Sequence, residues 1–593
     1  TDSSGAAAVQ NGFDNITRIE GSGSGVVDDT LNAQADDRTN GSILAGNFAL
    51  NTTTGTYSVS ALAGNRSLTF SRFEVLNSAD GDDLVTVNSD VSLIVNTNDG
   101  VDTVTVDPLT VLSGAINLGA GDDVLLVGQN GLVNGAVMGG DGADTFTLND
   151  GATIGGQVIG GAGNDTLSFG TYTSARNVTL TGSTVDGFSG TEAAVNIAGG
   201  GDGFTGIDTI IGGAGRDVLN GVAGADATWR IEANSRYVSG GGQVFFNNFE
   251  DLRGSTGVDE FRFGVGATLS GGNISGGGGN DVIFADDDGT TFTITGSNAG
   301  SVDPDGAGPL TATTFSGVEA LTGGAGDDSF EFGNAGFLSG VLAGGMGSDE
   351  LIGAPNGDVF HVTGAADAGV LYDLDPANPA SKTDPRMSGF TSIENLTGQG
   401  GDDHFDIDAN LTGTVDGAGG TNTLDLASGI TIGGTVNNVD AQVTQNGDLV
   451  AANTDDTIIA QLNSTTGALE VLVNLVLNTF FTAGTGVNIA LFVNGLGGDD
   501  TLTVDYSTGG VIPGDVTFDG GTGTDHLALV GTGTENVGYV PGLSTASDGV
   551  LQVDDGTATR VVTYVTPAAT ETVELVSLGS ATVTTPESED AVT

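Results

Sequence analysis

A glycine-aspartate phrase returns along most of the chain and constrains its fold more than any other feature. Seven copies read G-G-x-G-x-D in full and end at Asp144, Asp165, Asp217, Asp281, Asp328, Asp349 and Asp525. Looser copies end at Asp83, Asp102, Asp123, Asp208, Asp226, Asp259, Asp403 and Asp500. An apolar-polar-apolar triplet often follows one residue later, as in Phe146-Thr147-Leu148, Leu167-Ser168-Phe169, Phe330-Glu331-Phe332 and Leu502-Thr503-Val504. Glycine reaches positive φ at tight turns, and alternation with period two marks a half-buried strand. A turn and a strand repeated at near-fixed spacing build a stack of short units, not one globular core. The expected fold class is all-β: a parallel β-solenoid (β-helix or β-roll) with rungs of roughly 19–22 residues and inserted loops.

The first half carries the cleanest ladder, with Asp83, Asp102, Asp123, Asp144 and Asp165 separated by 19, 21, 21 and 21 residues. Second turns such as Asn130-Gly131 and Asp150-Gly151 lie between them, so one rung reads turn, strand, turn, strand. Stacked rungs are expected to rise by ~4.8 Å, the spacing of neighbouring strands. A longer phrase, F-x-x-[apolar]-[acidic]-x-[apolar], begins at Phe70, Phe204, Phe246, Phe315 and Phe390. Its acids, Glu74, Asp208, Glu250, Glu319 and Glu394, each precede a turn aspartate by nine residues. Phe and the later apolar residue are expected to fill the interior, while the acid faces outward or caps a column of turn aspartates.

These patterns divide the chain into an N-terminal cap or irregular rungs at 1–60 and regular rungs at 61–221. Rungs with loop insertions follow at 222–430, C-terminal rungs at 431–583 and an acidic tail at 584–593. The insertions are expected at Gly296–Pro309 and Ala365–Arg386, both rich in turn formers. Residues 468–481 place polar residues four apart, a helical spacing, but their β-branched content favours strand.

Lys and Arg total 13 against 76 Asp plus Glu, a formal charge of −63, and Lys382 is the one lysine. Such a chain repels nucleic acid and anionic lipid and collects cations. Cysteine is absent, which removes disulfides and thiolate chemistry. Residues 1–10 do not read as a signal peptide, and no run of ~18 apolar residues suggests a transmembrane helix. His361, His404 and His526 are scattered without metal-ligand spacing, and carboxylate pairs are too common to single out a catalytic one. Trp229 and seven tyrosines are too sparse for a sugar-stacking track. The chain is therefore not expected to be an enzyme.

The phrase G-G-x-G-x-D-x-[apolar]-x resembles the calcium-binding nonapeptide of RTX (haemolysin-type) proteins. The composition resembles that of bacterial surface-layer proteins and giant repeat adhesins. The resemblance implies Ca²⁺ held between stacked turns by the aspartate side chain and backbone carbonyls. Calcium takes six to eight oxygens at ~2.3–2.6 Å, and a glycine turn with one aspartate supplies oxygens of both kinds. On this reading the metal ligands are Asp83, Asp102, Asp123, Asp144, Asp165, Asp208, Asp217, Asp226, Asp259, Asp281, Asp328, Asp349, Asp403, Asp500 and Asp525. RTX nonapeptides run in tandem, whereas here a spacing of nine is clear only at Asp208, Asp217 and Asp226 and from Asp349 to Asp358. A single column of sites along one edge is therefore expected. Metal-free glycine corners fit the same spacing, but doubled acids such as Asp122-Asp123 and Asp327-Asp328 favour a cation.

The function implied is that of a secreted, extracellular or cell-surface structural protein that associates with itself head to tail in a filament, matrix or surface layer. The alternatives are an adhesin stalk that presents a polysaccharide- or cell-binding loop and, further off, a carbohydrate-active β-helix. No nucleic acid or membrane insertion is expected.

Overall fold

A computed structural model describes residues 74–439 with short gaps, the longest at 196–202, 305–311 and 375–381. From 441 to 583 it describes a series of strands separated by further gaps, and before residue 74 only the backbone of five short strands. The cap expected at 1–60 lies mostly outside the described residues, and the tail at 584–593 wholly so. The described secondary structure is all-β, with many parallel strands in long sheets. No helix among the described residues is long and apolar enough to cross a membrane. The chain forms two compact units, residues 1–286 with 301–318, and residues 287–300 with 319–593.

In the first unit the alternating triplets become parallel ladders. Strands Leu84–Val87, Thr103–Val106, Val124–Val127, Thr145–Leu148 and Thr166–Ser168 each pair in parallel with the next. The register advances by the spacing of the turn aspartates, so Val85, Val104, Leu125, Phe146 and Leu167 stack as one column, each with no exposed surface. A second parallel ladder stacks Val95, Ile116, Val137, Val158 and Phe204, and a third, short one stacks Leu112, Val133 and Ile154. One repeat contributes a strand to each ladder in turn. Each fully buried aliphatic or aromatic side chain contributes about 1.5–3 kcal/mol, so every repeat adds its own slice of core.

Several insertions are strands, not loops. Ala227–Ile231, Arg236–Ser239 and Gly242–Asn247 form an antiparallel meander. Its tight turn uses Gly240 and Gly241 at φ 61° and 84°, the positive pair that a two-residue hairpin needs. Within the stretch expected as a loop at Ala365–Arg386, Gly369–Asp373 lies antiparallel to Asp358–Val362. The long F-x-x phrase marks the return from such excursions to the parallel ladders. Phe70, Phe204 and Phe390 each lie opposite a glycine of an antiparallel neighbour (Gly55, Gly190 and Gly369). A Cβ on Gly190 or Gly369 would overlap the phenylalanine ring. Phe204, Phe246, Phe315 and Phe390 are all buried, as their pattern predicts.

In the second unit, parallel neighbours stack their aromatic rings. Phe292 lies on Phe330 at 5.0 Å, Phe360 on Phe405 at 4.7 Å and Phe518 on Tyr564 at 5.5 Å between ring centres. Residues 468–481 form strands Leu469–Val473 and Val476–Phe481, an antiparallel pair. There β-branched content outweighs the four-residue polar spacing.

Candidate metal centre

The turn aspartates point inward. Asp83, Asp102, Asp123, Asp144, Asp165, Asp217, Asp259, Asp281, Asp328, Asp349, Asp403, Asp500 and Asp525 are all buried. Each stands at the last position of a turn, just before an inward-facing strand. The Oδ1 of one accepts the backbone N–H of its counterpart in the preceding repeat. Asp83 N–H donates to Asp102 at 2.7 Å, Asp102 to Asp123 at 2.7 Å, Asp123 to Asp144 at 2.9 Å and Asp144 to Asp165 at 2.9 Å. Asp259 to Asp281 (2.8 Å), Asp328 to Asp349 (2.9 Å) and Asp500 to Asp525 (3.0 Å) continue the rule. The carboxylates therefore form a ladder of caps one repeat apart.

Two expected ligands sit differently. Asp208 is only half-buried, though its Oδ2 accepts Asp165 N–H at 3.0 Å. Asp226 is exposed and lies one residue out of register, with Ala227 opposite Asp259. Its Oδ1 instead accepts Val258 N–H at 2.8 Å, as Asp122 accepts Ala143 and Asp327 accepts Ser348. Asp82, Asp122, Asp327 and Asp499, the first acids of four doubled pairs, thus form an outer row, and Asp226 belongs with them.

Besides Asp208, two acids of the long phrase join the ladder. Glu250 accepts Asp217 N–H at 2.7 Å and Glu394 accepts Asp349 N–H at 2.8 Å. This corrects the single column expected from spacing. Asp349 and Glu394 lead into one sheet, whereas Asp358 and Asp403, nine residues on, lead into another. Acids nine apart occupy two corners of the same repeat.

Three further members were not among the expected ligands: Asp358, Asn422 and Asp456. Asp358 donates its N–H to Asp403 at 2.8 Å, Asp403 donates to Asn422 at 2.9 Å and Asp456 donates to Asp500 at 2.8 Å. Asp358 lay nine residues from Asp349 and was legible. Asp456 has no glycine phrase before it, and Asn422 replaces the aspartate in Gly417-Ala418-Gly419-Gly420-Thr421-Asn422.

The other carboxylate oxygen carries the chemistry. Oδ2 of Asp123, Asp144, Asp165 and Asp349 is buried with no hydrogen-bond partner. A Cβ on Gly139, five residues before Asp144, would overlap both Asp144 Oδ2 and the carbonyl oxygen of Gly160 in the next repeat. Gly160 stands in the same relation to Asp165 Oδ2 and Gly206 O, and Gly344 to Asp349 Oδ2 and Ser392 O. The first glycine of the phrase is thus required by close approach, and two acceptor oxygens converge beside it with no proton between them. At Asn422 the same place holds an amide nitrogen, which donates to Asn438 O at 3.0 Å.

Electrostatics agree with the geometry. Burial pushes the carboxyls of Asp102, Asp144 and Asp403 up to about 7 and those of Asp165 and Asp349 up to about 6. The backbone N–H bond to each opposes the rise, and neighbouring carboxylates add to it. A buried oxygen-only site that disfavours its own negative charge suits a hard cation such as calcium. Elsewhere the protein supplies a donor of its own. Trp229 Nε1–H donates to Asp259 Oδ1 at 3.0 Å, and buried Arg386 pairs with Asp358 through Nε and with Asp373 through Nη2 at 2.7 Å.

The histidines differ from one another. His404 is buried, its Nδ1 lies 2.8 Å from Thr423 Oγ1, and burial lowers its pKa to about 4. His361 lies on an outer face beside Asp406 and Asp408, and His526 lies 3.4 Å from Glu574. No family model and no curated protein matches the chain.

Proposed function

We propose that the stacked repeats form a parallel β-solenoid whose aspartate columns bind calcium, and that the protein is an extracellular structural component assembling head to tail. The observation that carries the calcium reading is the pairing of Asp144 Oδ2 with Gly160 O, repeated at Asp165 and Asp349, where two acceptors meet without a donor. Asp123, Asp144 and Asp165 would supply carboxylate oxygens, and stacked glycine turns the carbonyls. Each ion would neutralise part of the −63 charge that opposes compaction. Binding energy would then be folding energy, so secretion into a calcium-rich medium would close the repeats.

Self-assembly follows from repeat architecture. Strands at the end of a parallel stack offer unpaired backbone groups to another copy, and a head-to-tail contact that does not close propagates. Among the described residues, strands Thr572–Val576 and Ser580–Val583 each pair along one edge only, with His526–Val530 and Asn536–Pro541, and are candidates for such an edge. Chelated protein titrated with calcium should gain β-sheet circular dichroism and then scatter light as particles grow. Deletion of residues 559–593 should abolish growth but keep the spectral gain. A spectrum and melting point insensitive to calcium would sink the metal reading. A strictly monomeric calcium-loaded protein would sink assembly and leave an adhesin stalk.

A further inference from the structure

The parallel register of the second unit assembles a group of side chains that the calcium reading does not use. His361 on strand Asp358–Val362 pairs with Asp406 on His404–Ile407, and Asp408 follows that strand. His361 Nε2 lies 3.3 Å from Asp408 Oδ2 and 3.7 Å from Asp406 Oδ2. One ligand atom from each of the three residues fits within 4.8 Å of the others. A tetrahedral ion with bonds of ~2.0–2.2 Å separates its ligands by about 3.3 Å, so the histidine and Asp408 already stand at that edge. His361 and Asp406 project from hydrogen-bonded strands, which hold a site more firmly than loops do.

We infer that His361, Asp406 and Asp408 form a second metal site, for a divalent transition ion of the zinc type, chemically separate from the aspartate columns. The columns offer oxygen alone, which calcium prefers. This group adds a neutral imidazole nitrogen, a ligand that suits zinc and its neighbours and not calcium. Three protein ligands leave one position of a tetrahedron open to water or an external ligand. Lys382, the chain's one lysine, already sets its ammonium on Asp406 Oδ2, the oxygen that faces His361. The carboxylate therefore draws a cation in the absence of metal, and an entering ion would displace Lys382. The inference stands whether or not the columns hold calcium.

Cobalt(II) tests it, because an imidazole-carboxylate site of low coordination gives a visible ligand-field band. The full chain is titrated with Co²⁺ in millimolar calcium, which occupies oxygen-only sites, and zinc is then added as competitor. One saturable equivalent of the band is expected, and zinc should displace it. His361→Ala and Asp408→Asn should each weaken binding by about tenfold or more, while Lys382→Ala should tighten it. His526→Ala, which removes the histidine beside Glu574, should change nothing. Asp408 is the most exposed of the three, with 40% of its side-chain surface open, so its variant remains readable if His361→Ala disturbs the fold. No saturable band, or a band unchanged in Asp408→Asn and His361→Ala, overturns the assignment.

Discussion

Replacing Asp144 by asparagine should change stability in opposite directions with and without calcium. Asparagine keeps the Oδ1 that accepts Asp123 N–H, as Asn422 does for Asp403. Its Nδ2 would meet Gly160 O where Asp144 Oδ2 now stands, reproducing the bond from Asn422 to Asn438 O. The buried charge disappears. Burial holds the Asp144 carboxyl at about 7 against an ordinary value of 3.8, a gap of roughly three units, or about 4 kcal/mol if undiluted. The turn is one chain thick, so solvent beyond the glycines screens the charge, and ~2 kcal/mol is the working magnitude. In chelator above pH 7, Asp144→Asn should therefore stabilise the protein by ~2 kcal/mol. In saturating calcium it removes a charged ligand and should lower both the melting temperature and the calcium stoichiometry. Thermal unfolding followed by circular dichroism measures both, with osmolyte-driven refolding where the chelated chain starts unfolded. The exposed Asp141→Asn serves as control. Destabilisation by Asp144→Asn in chelator as well as in calcium would refute the argument that the carboxylate is strained without a cation.

Acid should partly substitute for calcium. The folded-state pKa values of Asp102, Asp144, Asp165 and Asp349 lie above the unfolded value of 3.8, at about 6 to 7. The folded chain thus binds protons more tightly, and this stabilisation is full below about pH 4 and lost as pH rises through 6–7. Chelated protein should melt higher at pH 5 than at pH 8, calcium should reverse or flatten that slope, and equal melting across the range counts against the buried column. Arg386→Gln should destabilise the second unit by about 3–5 kcal/mol because Asp358 is left as a buried unpaired charge. Adding Asp358→Asn should recover most of the loss in a double-mutant cycle, and strict additivity would show that the pair is not coupled.

The spacing of turn aspartates at 19, 21, 21 and 21 residues carried the all-β repeat and its parallel register, because a stack repeats one local rule. The glycine-aspartate phrase also marked thirteen of the buried ladder residues, since each turn needs glycine both beside its own aspartate and against the backbone of the neighbouring repeat, and that need recurs in every copy. Tertiary structure alone decided the rest. Asp226 and Asp208 carry the same local phrase, and only register with the neighbouring repeat sends one outward and leaves the other half-buried. Glu250, Glu394 and Asn422 join the ladder without the full phrase, because the place is defined by a backbone N–H one repeat away. The grouping of His361 with Asp406 and Asp408 was invisible for the same reason. Residues more than forty positions apart meet only when an antiparallel excursion has been inserted and the chain has returned to the strand beside the one it left.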